Sequence, residues 1–255
     1  AWDLLIDSVR LRLRSDVPTG IFLSGGLDSS LITAAAAQVS DQPIKTFTIG
    51  VPKSNLDETK HALLVANFFN TNHQVMNIKD TSIDLLDKLS SFVDEPIADS
   101  SILPSYLVSR MTSEQVTVAL GGDGGDEIYG GYSHYQKILQ DQAHLGWIPK
   151  HLMKLFFRVG SKLKAGTTGR NFLMSFKQGP LKTRIWGTPY FDLELRKLLF
   201  KPEILEEIGN DIDAPERRSL ELYHQGIDPV DKLMRMDFKQ TLPDDYLVKV
   251  DRASM

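Results

Sequence analysis

The chain has 255 residues, enough for one large domain or two small ones. Hydrophobic residues make up 42% and charged residues 24%, the balance of a globular protein in water, and the net charge of −4 gives no general electrostatic reason to bind nucleic acid. There is no cysteine, which excludes disulfides, thiolate zinc sites and a cysteine nucleophile; no apolar run approaches transmembrane length and no signal-peptide pattern opens the chain, so a cytoplasmic location is expected.

Leu4, Leu5, Val9, Leu11 and Leu13, with Arg10, Arg12 and Arg14 between them, predict an amphipathic first helix through Arg14. A turn over Asp16–Gly20 leads into Ile21-Phe22-Leu23, an apolar run without alternation, as in a strand buried on both faces. Leu31 to Val39, with four successive alanines, is apolar almost all round and predicts an internal helix. Between them lies Ser24-Gly25-Gly26-Leu27-Asp28-Ser29-Ser30. Two glycines let the backbone approach a ligand, three hydroxyls can donate, and a helix start favours an anion. A capped turn would explain a single Gly pair, but the whole string predicts phosphate binding. Asp28 would repel a phosphate unless a cation sat between them, so it is expected to be a magnesium ligand.

Ile44–Ile49 predicts a second strand. Asp57 and Glu58 are expected to open a helix that turns Ala62, Val65, Ala66 and Phe69 to one face. Gln74–Ile78 predicts a third strand and Ser82–Phe92 another helix, a succession that argues for a parallel sheet with right-handed crossovers. The polar stretch Asp94-Glu95-Pro96-Ile97-Ala98-Asp99-Ser100-Ser101 is either a capped loop or a substrate-facing one. A helix over Ile102–Met111 follows, with Pro104 in its first turn.

Val116–Leu120 predicts a buried strand that runs into Gly121-Gly122-Asp123-Gly124-Gly125-Asp126-Glu127 and then Ile128-Tyr129-Gly130-Gly131-Tyr132. Four glycines among three acids are costly as structure alone and make sense if a cation and a ligand lie against the backbone. Ligands of an open parallel sheet bind beyond the carboxyl ends of its strands, which would put Asp28 and Asp126 on one rim as a magnesium site. Further on, His151–Lys164 reads as a basic amphipathic helix, either a solvated face over a core or a contact for a partner or membrane surface. Trp147, Phe156, Phe157, Phe172 and Trp186 are expected in a helical core, and Asp228-Pro229 as an N-cap with proline at the first helical position.

The Ser24–Ser30 string resembles the pyrophosphate loop of the ATP pyrophosphatases. The segment from Gly121 to Tyr132 resembles the second motif of the asparagine synthetases, and Leu242-Pro243-Asp244-Asp245-Tyr246-Leu247-Val248-Lys249-Val250-Asp251-Arg252-Ala253-Ser254-Met255 resembles a third family segment. The resemblance implies an α/β fold, an open parallel sheet with helices on both faces followed by a mostly helical region. Residues 1–140 would be the ATP-binding core and 141–255 the helical remainder of the same synthetase domain.

It further implies that Ser24, Gly25, Gly26, Asp28, Ser29 and Ser30 hold pyrophosphate, that Leu23 and Ile49 flank the adenine, and that Gly122 lies near the nucleotide. Asp28 and Asp126 would hold Mg2+, while Asp123, Tyr132 and Lys249 are the catalytic candidates; the lysine the family itself uses falls beyond Met255. Asp123 stands where the family usually has Glu, and Gly121 and Gly125 where Ser or Ala is frequent. The implied reaction is adenylation of a carboxylate, foremost the aspartate side chain, with release of pyrophosphate and then attack by ammonia. The alternatives are amidation of a sugar acid or peptide, or an adenylate-binding module without catalysis. The expected partners are ATP, the carboxylate and ammonia, with no nucleic acid or membrane, and a homodimer is compatible with the family. The chain opens inside a helix and stops after a charged motif, so it is expected to be a piece of a longer protein with a glutaminase domain ahead of it.

Overall fold

A computed structural model describes residues 1–50, 57–77, 83–97, 99–145, 147–164, 166–174, 176 and 193–254. In chain order the described elements begin α1 (Trp2–Arg12), β1 (Thr19–Phe22), α2 (Leu27–Val39), β2 (Lys45–Gly50), α3 (Thr59–Phe68), β3 (Asn72–Asn77), α4 (Ile83–Ser90), α5 (Ile102–Ser113), β4 (Val118–Leu120) and α6 (Gly125–Tyr129). They continue with α7 (Ser133–Leu145), α8 (Lys150–Lys162), α9 (Arg170–Met174), α10 (Leu193–Leu199), α11 (Pro202–Ile208), α12 (Ala214–His224), α13 (Pro229–Met236), a π-helical segment (Asp237–Tyr246) and α14 (Leu247–Ser254). Packing divides them into one unit of Ala1–Asp126 with Leu242–Met255 and another of Glu127–Thr241. That partition is not the expected one at residue 140, and it puts the last segment of the chain with the first unit.

The first unit is built on a four-stranded sheet in the order β3-β2-β1-β4. All of its pairs are parallel, with Ile21 of β1 opposite Thr46 of β2 and Leu120 of β4. Parallel strands need crossovers, and α2 and α3 supply those after β1 and β2. Ile21 is fully buried with Ala35 and Ala36 of α2 and Ile6 and Val9 of α1. Successive strand residues point to opposite faces, so Phe22 packs on the other side, with Phe47, Val116 and Met111 of α5. The sheet is therefore covered on both faces, as its apolar strands require. Leu89 of α4, Tyr106 of α5 and Ala253 of α14 form a further cluster.

In the second unit, Tyr135 and Ile138 of α7 pack with Tyr223 of α12 and with Leu233 and Met236 of α13. Asp228 caps α13, accepting from Val230 N at 2.8 Å and Asp231 N at 3.0 Å. Buried Asp237 accepts from the Tyr135 hydroxyl at 2.7 Å and from Thr241 Oγ1 at 2.9 Å. No helix among the described residues is long and apolar enough to cross a membrane.

Several expected bounds shift. Asp57 and Glu58 precede α3 rather than open it, Asp57 accepting from Thr59 N at 3.2 Å. α2 starts at Leu27, inside the glycine–serine string rather than after it. Ile78 and Ser82 lie outside the described residues, as does Trp186. Trp147 is 79% exposed and Phe172 56% exposed, so neither is a core residue. The buried aromatic there is Phe176, against which Phe156 and Phe172 set their rings at 5.3 and 5.1 Å.

Candidate functional site

The turn from β1 into α2 has its form for steric reasons. Gly25 has φ +85, and a Cβ there would stand 2.4 Å from Ala62 N and 2.6 Å from His61 C of α3. The loop is thus pressed onto the backbone of α3, at a distance and a φ only glycine accepts. Leu23, just before it, is buried with Ala62 and Ala66, so its side chain belongs to the core. Gly26 is the N-cap of α2 and has no side chain to cap with.

The serines close the turn on itself. Ser24 Oγ and Ser29 Oγ are 3.0 Å apart, Gly26 N–H donates to Ser24 Oγ at 3.2 Å, and Ser30 Oγ donates to Gly26 O at 2.6 Å. The first intrahelical bond is Ser30 N to Gly26 O, so the N–H groups of Leu27, Asp28 and Ser29 form the opening turn, where an α-helix offers donors to an anion. Ser24 and Gly26 are exposed, and Ser29 is buried beneath them.

The acidic loop after β4 lies against this same turn. A Cβ on Gly122 would stand 3.2 Å from both Asp28 Cβ and Ser29 N, and one on Gly125 would stand 2.5 Å from Asp28 Cγ. The glycines of one motif therefore make room for the aspartate of the other. Asp126 follows Gly125 in the first turn of α6. Gly121 has a matching reason: its Cβ would fall 2.7 Å from Asp123 Oδ2, so the short acid folds back over a position that carries no side chain. Among the described residues no group of three or more His, Cys, Asp or Glu side chains is set to hold a metal. A site of two carboxylates fits magnesium, which keeps waters and binds through one or two carboxylates plus phosphate oxygens. Ile49, half-buried, stands opposite Met76 in the sheet.

The third motif meets the Asp94–Ser101 stretch. Lys249 of α14 donates to Asp99 Oδ2 at 3.0 Å and Ser101 Oγ at 2.8 Å, and its ammonium lies 5.1 Å from the centre of the Tyr246 ring. Arg252 pairs with Asp94. A cavity of about 420 Å³ opens beside these contacts, walled by Glu95, Asp99, Asp244, Asp245 and Tyr246 among others. Burial works against ionisation of Asp99, yet hydrogen bonds from Ser101 and Lys249 and the charge of Lys249 outweigh it and hold that carboxyl below its ordinary range. Burial and the charge of Asp99 push Asp245 up, and Lys249 opposes them.

Tyr132 belongs to the second unit, where its hydroxyl donates to buried Glu127 at 2.6 Å and its ring stacks on His134 at 4.9 Å. Within the first unit the structure thus brings together the Ser24–Ser30 loop, Gly122, Gly125 and Asp28, and separately Lys249 with Asp99 and Ser101. Sequence inspection missed Glu95, Asp99, Ser101 and Asp245 as individual site residues. Their only signal was the run of acids in two polar segments far apart in the chain.

The first unit is thus an open parallel α/β sheet with a glycine–serine loop at the end of its first strand and an acidic glycine loop against it. The asparagine synthase family profile matches residues 2–255, and the chain belongs to that family. It is 36% identical over 262 residues to a putative asparagine synthetase (glutamine-hydrolyzing) 2 of Methanocaldococcus jannaschii, covering 99% of this chain and 48% of that protein. It is 31% identical over 259 residues to a putative asparagine synthetase (glutamine-hydrolyzing) of Mycobacterium tuberculosis, covering 99% of this chain and 38% of the relative. With asparagine synthetase (glutamine-hydrolyzing) 1 of Bacillus subtilis the identity is 30% over 259 residues, covering 99% and 39%. The chain thus spans about half or less of the length of the curated relatives it matches.

Proposed function

We propose that this chain carries out ATP-dependent amide synthesis, foremost on the side-chain carboxylate of aspartate. The observation that carries the reading is the close approach of Gly122 and Gly125 to Asp28 at the first turn of α2, which joins a phosphate-type loop to an acidic loop. A magnesium ion held by Asp28 and Asp126 would neutralise the phosphate charge that the two carboxylates otherwise repel. The opening N–H groups of α2 and the hydroxyls of Ser24 and Ser30 would bind the β- and γ-phosphates, leaving the α-phosphorus as the point of attack.

The acceptor carboxylate oxygen bonds to that phosphorus as the bond to pyrophosphate breaks. Ammonia then adds to the activated carbonyl carbon, AMP leaves and a proton is released, giving the amide. AMP is an adequate leaving group where hydroxide is not, which is why ATP is split at this position. Asp123 is the proposed group near the reacting carbonyl. Lys249 has its ammonium engaged by Asp99 and Ser101. The relatives are named as glutamine-hydrolyzing, but this chain contains no cysteine to attack glutamine and would take the nitrogen as ammonia, supplied by a glutaminase domain elsewhere in the protein. A cytoplasmic location is part of the same reading, which the use of ATP supports.

The test is product analysis on the intact protein with ATP, magnesium, aspartate and ammonia. AMP and pyrophosphate are expected, and Asp28→Asn is expected to abolish turnover while leaving folding intact. Release of ADP and phosphate would overturn the reading.

A further inference from the structure

Lys249 is the cation at the centre of the third motif, and its surroundings define what it can do. Its side chain is only 12% exposed and that of Asp99 only 19%. An ammonium has three N–H donors. Two of these reach Asp99 and Ser101, and the ammonium also lies over the Tyr246 ring. Such a group is poorly placed to give a proton to a substrate. It is well placed to hold two chain segments together, because its partners come from 150 and 148 residues away.

The segments it joins are the start of α14 and the stretch leading into α5. Arg252, one turn on, reaches Asp94 at the other end of the same stretch. Below these polar contacts Ala253 packs with Tyr106 and Leu89, so α14 is anchored in the core and the loop is the part being held. Asp99 is both the partner of Lys249 and a wall of the cavity, together with Asp245. We infer that Lys249 is a positioning residue: it holds the Asp94–Ser101 loop against α14 through Asp99 and Ser101, and so sets the shape and charge of the cavity those segments wall. Without it, Asp99 would be a largely buried carboxylate facing Asp245 with no cation between, and the loop would move away from α14. The kinetic part of this inference rests on the amide-synthesis reading; the structural part stands without it.

The experiment is hydrogen–deuterium exchange on the intact protein, wild type against Lys249→Met and, as a second variant that keeps the lysine, Asp99→Asn. Both are expected to speed exchange across Asp94–Ser101 by at least about tenfold while leaving Ser24–Ser30 and α2 unchanged, because local opening is governed by local contacts. Lys249→Arg, which keeps charge and reach, should restore most of the protection. In steady-state assays with aspartate as the probe, Lys249→Met should raise its KM by about tenfold with ATP affinity unchanged, and adding it to Asp99→Asn should have little further effect. Unchanged exchange over Asp94–Ser101 in both variants would overturn the inference, and so would full additivity of the two kinetic effects. If the protein makes ADP and phosphate, the reaction reading falls, and the exchange pattern still decides the role of Lys249.

Discussion

Replacing Gly25 with alanine tests the steric account of the first loop, and its cost can be worked from two observations. The residue has φ +85, which for an alanine costs roughly 1–2 kcal/mol because its Cβ meets the neighbouring carbonyl. The new methyl would also stand 2.4 Å from Ala62 N and 2.6 Å from His61 C, and backbone cannot swing aside as a side-chain tip can. Overpacking of that kind adds about 1–3 kcal/mol. The sum is about 2–5 kcal/mol, which in a chain of this size lowers Tm by roughly 10 °C.

The control is Gly26→Ala one residue on. There φ is −67, and the nearest atom to a new Cβ is Ser24 Oγ at 3.2 Å, the end of a side chain that can rotate. Its cost should stay within about 1 kcal/mol, the usual penalty for a poorer N-cap. Urea denaturation of both variants, with thermal melts beside it, provides the comparison. The account fails if Gly25→Ala stays within about 1 kcal/mol of wild type, or if Gly26→Ala is as damaging.

Three other outcomes are expected. Tyr135→Phe removes the hydroxyl that Asp237 accepts from at 2.7 Å, and the urea midpoint should report a loss of about 1–3 kcal/mol, as for a buried carboxylate deprived of a donor. Asp228→Ala removes the acceptor for Val230 N and Asp231 N and should cost about 1 kcal/mol, with exchange rising at the start of α13 before the rest of that helix. Asp245→Asn should stabilise the chain at neutral pH: burial first, then the charge of Asp99, raise this carboxyl, so its neutral form favours the folded state. That advantage is present below the ordinary carboxylate range and is lost as pH rises through the raised value, so the gap between variant and wild type in denaturation should close on acidification. Asp99 has the opposite sign, its contribution being present above the ordinary carboxylate range and lost as pH falls through its lowered value.

What could be read from residues alone was local in origin. An unalternating apolar run, a glycine–serine string and an alanine-rich helix follow one another within twenty or so positions, and each constrains its own backbone through sterics and burial. That was enough for the strand–loop–helix of β1 and α2 and for the parallel sheet. The Asp228 cap was legible for the same reason, since its bonds reach only two and three residues ahead. Tertiary packing decided the rest. The order β3-β2-β1-β4 puts β1 in the interior, which is what sets Gly122 and Gly125 against Asp28. Gly25 has no alternative because α3, a separate element, supplies the atoms it would strike. Trp147 sits at 79% exposure although its composition suggested a core, because hydrophobicity gives the gain from burial but not the presence of a neighbour to bury against. Lys249 looked catalytic in its motif, and only the fold brings Asp99 and Ser101 to its ammonium: contacts across some 150 positions leave no periodicity along the chain, because their energy depends on where two distant segments meet.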